Sequence, residues 1–160
     1  MQWLSLAVSD CRFCGLVKGT ETASVIHQDK DCLAMMDLFP ISPGHLLIVP
    51  TRHVERFDEL TLEELDALSR MTHKLSAAVM LTQLKAKQRP DGYNILNNNG
   101  TVAQQHLPHL HIHIIPRYKR DLLKVTGHLF LHAPGLFIAK ARRKRLDEQA
   151  QLLGSSLAGL

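Results

Sequence analysis

The chain has 160 residues, the size of one ordinary domain, and its 45% apolar content can bury a real core, which excludes wholesale disorder. Nineteen Lys and Arg against fifteen Asp and Glu leave a net charge of +4, which suits an anionic ligand but is too mild to specify nucleic acid. No apolar run approaches the roughly 20 residues a spanning helix needs, so no membrane insertion is expected. Met1-Gln-Trp-Leu-Ser-Leu-Ala-Val8 lacks the positive start of a signal peptide, and three cysteines make a disulfide scaffold a poor fit; the expected location is cytoplasmic. Histidine is the unusual component: ten in all, with His106, His109, His111 and His113 inside eight positions.

In chain order, Ser24-Val-Ile-His-Gln-Asp29 and Cys32-Leu-Ala-Met-Met-Asp37 read as two strands around a polar turn. Phe39-Pro-Ile-Ser-Pro-Gly44 is a loop, and His45-Leu-Leu-Ile-Val49 a third strand closed by Pro50. Thr61-Leu-Glu-Glu64 is a capping box, and Leu62, Leu65, Leu68, Leu75 and Val79 then recur at helical spacing to about Leu84. His73 lies off that stripe and reads as a solvated residue. Arg89-Pro-Asp-Gly92 is a turn, Tyr93-Asn-Ile-Leu-Asn97 the fourth strand, and 109–115 the fifth, ended by Pro116. This order predicts an α+β fold: a mainly antiparallel five-stranded sheet with one long helix. With no internal repeat or Gly/Ser linker, residues 1–120 read as one domain, followed by an extension over 121–160. After short apolar pieces broken at Gly127 and Pro134-Gly135, a final helix is expected over 137–153, with a fraying tail from Gly154. The run Lys140-Ala-Arg-Arg-Lys-Arg145 reads as a solvated helix face or as an attractor of polyphosphate or nucleic acid.

His109-Leu-His-Ile-His113 alternates strictly with period two. On a strand its three imidazoles share one face at spacings of about 6.5–7 Å, while Leu110, Ile112 and Ile114 point into the core. Packing does not explain three histidines on one face. Two chemistries compete: a catalytic metal centre, since His-x-His supplies two imidazole ligands, or a histidine that is itself the nucleophile toward phosphorus or an acyl carbon. Cys11-Arg-Phe-Cys14 supplies half of a zinc site, with His53 and a triad histidine as candidates for the rest. Nothing around the pair suggests the helix start that a redox Cys-x-x-Cys would occupy. Cys32, in an apolar strand, reads as a buried small hydrophobe.

The run His109-Leu-His-Ile-His-Ile-Ile-Pro-Arg117 resembles the signature of the histidine triad (HIT) superfamily of nucleotide hydrolases and transferases. The likeness extends through Asp37-Leu-Phe-Pro-Ile-Ser-Pro-Gly-His-Leu-Leu-Ile-Val-Pro50, Arg52-His-Val54 and Asn94-Ile-Leu-Asn-Asn-Asn-Gly100, and covers roughly 11–117. It implies a homodimeric nucleotide-binding catalytic domain, with a nucleotide small molecule as partner and neither membrane nor nucleic acid. His111 would attack the α-phosphate of a nucleoside phosphoramidate, dinucleoside polyphosphate or related conjugate, forming a nucleotidyl-histidine that water hydrolyses. His113 would contact phosphate oxygens and His109 would orient the site. Cys11, Cys14, His53 and His109 would hold a structural zinc ion. Asp37 would bind ribose hydroxyls, Phe13, Leu16, Met35 and Leu38 the purine base, and Asn98 and Gln105 the phosphate or leaving group. His45 would be a supporting histidine.

The sequence departs from the family pattern just before the triad. Gln104-Gln-His106 stands where Gly-Gln-Ser/Thr is expected, so an imidazole replaces a hydroxyl and His106 becomes a candidate phosphate contact. Gln104 stands in place of a glycine, a change that narrows the phosphate loop or, if that glycine has φ > 0, alters its backbone angles. Two other readings therefore stand beside the hydrolase: a non-catalytic nucleotide-binding module on the same fold, and a metal-dependent hydrolase using the histidine cluster as ligands.

Overall fold

The structure, a computed structural model, describes residues 11–85, 88–122 and 139–160. The readings of Met1–Val8 and the breaks at Gly127 and Pro134 lie outside the described residues. In chain order the elements are α1 (Arg12–Val17), β1 (Val25–Gln28), β2 (Cys32–Met36), β3 (Leu46–Pro50), α2 (Leu62–Leu81), β4 (Gly92–Asn97), β5 (Ile112–Arg117) and α3 (Ala139–Ala158), with short 3-10 turns at Phe57–Glu59 and Thr101–Ala103. The sheet runs β1-β2-β3-β5-β4, every neighbouring pair antiparallel. This is the five-stranded antiparallel α+β architecture that the sequence predicts.

Both faces of the central strands are covered, which accounts for the unbroken apolar runs of β2 and β3. Ala34, Met36, Leu46, Ile48, Leu110, Ile112 and Ile114 pack on one side against Leu68, Leu75 and Val79 of α2 and Leu146 and Leu153 of α3. Leu33, Met35, Leu47 and Val49 form a smaller cluster on the other side with Cys11, Phe13 and Cys14 of the α1 segment. Cys32 is 1% exposed and belongs to the main core, as read from sequence.

The long helix begins on its capping box: Glu64 N donates to Thr61 Oγ1 (3.3 Å) and Thr61 N to Glu64 Oε2 (2.9 Å). Arg52 grips the same carboxylate with Nε (2.6 Å) and Nη2 (2.7 Å). The Arg52 hydrogen bond leads the causes that hold Glu64 down at about 2. Because that value lies below the ordinary 4.5, the interaction is fully present above pH 4.5 and is lost as pH falls toward 2. Glu64→Gln is therefore expected to cost about 1 kcal/mol at pH 6, Arg52 being half exposed, and much less at pH 2, where the carboxylate is about half protonated. Paired thermal melts at the two pH values check this. As expected, His73 on this helix is exposed.

Three elements differ from the sequence expectation. The helix stops at Leu81, because Thr82 turns extended (ψ 137°) and its hydroxyl donates back to Ala78 O. The fifth strand starts at Ile112, not His109, since β3 offers partners only to 112–114 and β4 ends opposite Ile112. Residues 109–111 keep the alternation, however, and Leu110 N donates to Val54 O (2.7 Å). The last helix continues through Gly154 to Ala158, with no fraying tail from Gly154: a Cβ at Gly154 would lie 3.2 Å from Ile26 O, and Leu157 packs on the core. Glycine here permits close approach to β1 rather than ending the helix. Of the basic run, Arg143 Nη2 donates to Thr22 O (3.1 Å), whereas Lys144 and Arg145 are exposed.

The 38–44 loop is tied to the far end of β5 by Ser42 Oγ, which donates to Pro116 O (2.5 Å), and by Tyr118 OH, which donates to Pro43 O (3.0 Å). Gly44 closes it at φ +87°, and a Cβ there would meet Leu84 Cδ1 at 2.5 Å and Pro116 Cγ at 3.1 Å. Gly44→Ala combines a left-handed backbone with that clash and is expected to lower stability by about 2–4 kcal/mol, read as the shift of a denaturation midpoint.

Candidate active site and metal centre

Three imidazoles line the sheet face that α1 covers. His109 is fully buried and His111 is 7% exposed, with Phe13 of α1 against both rings at centroid distances of 5.6 and 5.3 Å. The ring of His113 lies 5.0 Å from that of His111. The backbone fixes the tautomer of each ring. His111 Nδ1–H donates to the carbonyl of His109 (2.7 Å), so the lone pair of His111 is on Nε2. Ile41 N–H donates to His45 Nδ1 (3.2 Å), which leaves His45 Nε2–H to donate to His113 Nδ1 (2.9 Å) and places the proton of His113 on Nε2. A nucleophilic nitrogen on one ring therefore neighbours an N–H donor on the next.

Electrostatics keep these rings neutral. Burial lowers His45 and His111, and burial with the neighbouring His45 and His111 pushes His113 down to about 2. Asp37 stands at the end of the row, its Oδ2 3.4 Å from His45 Nδ1 and its Oδ1 accepting from Phe39 N (2.8 Å). Asp37 N donates to His45 O, which joins the acid directly to the histidine row (3.0 Å).

On the other side of His109, the ligand atoms of Cys11, Cys14, His53 and His109 all lie within 4.8 Å of one another. Cys14 Sγ is 3.3 Å from His53 Nδ1, and His109 Nδ1 is 3.4 Å from Cys11 Sγ and 3.6 Å from Cys14 Sγ. A tetrahedral zinc ion with ordinary bond lengths separates sulfur and nitrogen ligands by roughly 3.3–3.8 Å. Three of the six donor pairs thus already have the separation of such a tetrahedron's corners. His109 Nε2–H donates to Pro50 O (3.0 Å), which turns Nδ1 toward the sulfurs, an outer-shell bond typical of metal-binding histidines. Without a cation the arrangement is poor for thiolate: burial, with Cys11 alongside, pushes the Cys14 thiol up to about 11. No local signal around the cysteine pair predicts a helix. Cys11 in fact caps α1 and Cys14 lies within it, held by packing of Phe13 and Cys14 on the sheet.

The remaining candidates divide. Phe13, Leu16 and Met35 share the α1-side cluster, whereas the half-buried Leu38 packs against the opposite core. Gln105 is buried with both amide atoms bonded to backbone: Nε2 donates to Glu55 O (2.7 Å) and Oε1 accepts from Gly100 N (2.6 Å). It closes the loop on itself. Asn98 is half-buried, with Nδ2 3.5 Å from Gln104 O. Gln104 does adopt the left-handed conformation, φ +65° and ψ 28°, that the missing glycine would have taken without strain. The loop keeps its shape at a cost of about 1 kcal/mol. Exposed His106 bears electrostatically on His111, tending to lower it. Sequence reasoning missed Asn97, whose Nδ2 donates to the carbonyl of His111 (2.9 Å); its position at a strand end carried no signal.

The fold and this cluster of histidines define a histidine triad protein. The HIT domain family model matches residues 18–120, well over half of the chain, and the chain belongs to that family. It is 42% identical over 111 residues to an uncharacterised HIT-like protein of Methanocaldococcus jannaschii, covering 69% of this chain and 81% of the relative. It is 34% identical over 107 residues to an adenosine 5'-monophosphoramidase of Schizosaccharomyces pombe, covering 67% and 74%. Among solved structures it is similar to a zinc-bound histidine triad family protein of Mycobacterium smegmatis, with TM-score 0.74, 27% identity and 96% of each chain covered. Among the described residues no helix is long and apolar enough to cross a membrane.

Proposed function

We propose that the protein is a nucleotide hydrolase that works through a covalent nucleotidyl-His111. The observation that carries this reading is the pair of tautomers: an Nε2 lone pair on neutral His111 beside an Nε2–H donor on His113. In the first step Nε2 attacks the α-phosphorus of a nucleoside monophosphate conjugate. The P–N bond forms as the bond to the leaving group breaks, and the leaving group departs with its electron pair and takes up a proton. The Nδ1–H bond to the His109 carbonyl offsets the positive charge that develops on the ring, and His113 Nε2–H donates to a phosphoryl oxygen. Water then attacks the same phosphorus and returns the electron pair to His111, releasing the nucleoside monophosphate.

Asp37 is the candidate ribose contact, its carboxylate at the end of the histidine row, and His106 and Asn98 are candidates for the phosphate or leaving group. Phe13, Leu16 and Met35 are the apolar candidates for the base. The donor geometry supports zinc at Cys11, Cys14, His53 and His109. Bound there, the ion would supply a structural crosslink, since four protein ligands leave no position for a reactive water. That site would not serve the metal-dependent hydrolase, for which Asp37, His45 and His113 are the candidate ligands. A second copy of the chain is the expected partner: β4 is a sheet edge, with Tyr93 41% and Ile95 52% exposed.

The names of two relatives bear on the substrate. One is the S. pombe phosphoramidase above, and the other an adenylylsulfatase of Arabidopsis thaliana, 35% identical over 125 residues and covered over 61% of its length. Assay of adenosine phosphoramidate, adenylyl sulfate and diadenosine tri- and tetraphosphate tests the reading. Turnover of at least one, releasing AMP, is expected. AMP binding without turnover of any would overturn it in favour of a binding module.

A further inference from the structure

We propose that Asn97 and Asn99 are positioning residues, which hold the backbone of His111 through a one-way chain of amide hydrogen bonds. The role rests on the reading of His111 as nucleophile. Phe57 N donates to Asn99 Oδ1 (2.7 Å), Asn99 Nδ2 to Asn97 Oδ1 (2.6 Å), and Asn97 Nδ2 to the carbonyl of His111 (2.9 Å). Both ends of the chain are backbone groups of fixed polarity, an N–H at Phe57 and a C=O at His111. The orientation of both side-chain amides is therefore determined, and neither can flip without leaving two donors or two acceptors face to face.

The chain stands where the sheet stops supporting the triad. Asn97↔Ile112 is the last β4–β5 pair, so the His111 carbonyl lies one residue beyond the ladder and receives a side-chain donor in place of a backbone one. His111 is then fixed twice: its carbonyl by Asn97, and its Nδ1–H by the carbonyl of His109. Gln105 ties the same loop to the same anchor, donating to Glu55 O two residues before Phe57. Asn98 lies between the two clamped asparagines, so the chain also sets the backbone of a candidate phosphate contact. Asn97 is half-buried and Asn99 exposed, so their amides contribute little to the core. Their expected contribution is to geometry, where small displacements of a reacting atom are costly.

The test uses the whole protein with its metal site loaded. Asn97→Ala is expected to lower kcat about 10- to 100-fold, with KM within about twofold and the melting temperature within about 4 °C. Asn97→Asp keeps the acceptor for Asn99 but sets a carboxylate against the His111 carbonyl; it is expected to lose at least as much. Asn99→Ala should act in the same direction, and Asn97→Ala/Asn99→Ala should be no worse than Asn97→Ala alone, because the two lie in one chain. In a second arm, imidazole 15N shifts report the His111 tautomer and should move in Asn97→Ala. Unchanged kcat in both Asn97 variants, or a loss of kcat matching a loss of folded protein, overturns the proposal. Should the unmodified protein turn over no nucleotide, the reading of function fails; the 15N shifts still decide the clamp, and unchanged shifts in Asn97→Ala overturn it.

Discussion

His111→Ala is expected to lower kcat by at least about 10^4-fold on any substrate the protein turns over, with the fold intact. The size follows from the chemistry assigned to Nε2. In the proposed mechanism it makes and breaks the bond to phosphorus, and a methyl group can do neither. The residual rate would come from whatever His113 and the loop donors do for a direct attack by water. Neighbouring substitutions separate the roles. His113→Ala removes a donor and the partner of His45 but leaves the nucleophile, so its loss should be smaller, about 10^2- to 10^3-fold. If His111 served only to bind phosphate, its removal would raise KM and leave kcat largely unchanged. Steady-state kinetics on the purified variants, with circular dichroism to verify folding, decides between these outcomes.

Removing a metal ion bound at the proposed zinc site is expected to have the largest effect on stability. The Cys11, Cys14, His53 and His109 cluster joins α1, the segment after β3 and the start of the triad, three pieces far apart in sequence. Bound zinc would crosslink them, and its binding energy would add directly to folding. Chelation, or Cys14→Ala, is expected to cost on the order of 3 kcal/mol or more, which is roughly 10 °C at this chain length. Activity should fall together with the melting temperature, because the proposed ligand His109 is also the acceptor, through its carbonyl, for His111 Nδ1–H. A catalytic metal would give a different pattern, with activity lost on mild chelation and the melting temperature unchanged. Calorimetry before and after chelation, with the zinc content of each sample measured, tells the two apart.

Local patterns were the legible part of this molecule. The alternation of His109 to His113 identified one histidine face and one core face, and Leu110, Ile112 and Ile114 do lie together in the main core. The capping box at Thr61 marked the start of α2 correctly. Features that depend on distant partners were not legible. The six residues of α1 have no side-chain cap and are held by packing on the sheet, so nothing local announced them. The start of β5 depends on where β3 and β4 offer ladder partners, which alternation alone does not encode. Gly154 was read as a helix end, although its role is to let α3 approach Ile26. In the site, the residue types were readable but their allocation was not. Gln105 uses both amide atoms on backbone, Leu38 faces the other core, and the bond from His45 to His113 spans 68 positions.

The central claim is that His111 becomes covalently nucleotidylated, and intact-protein mass spectrometry reads this directly. Enzyme mixed with a slowly hydrolysed adenylyl substrate and acid-quenched within the first turnover is expected to gain the mass of one adenylyl group. Peptide mapping should place the group on the segment containing His111, and the His111→Ala protein should not acquire it. Rapid turnover with no adduct at any quench time, or an adduct that persists in His111→Ala, would contradict the account.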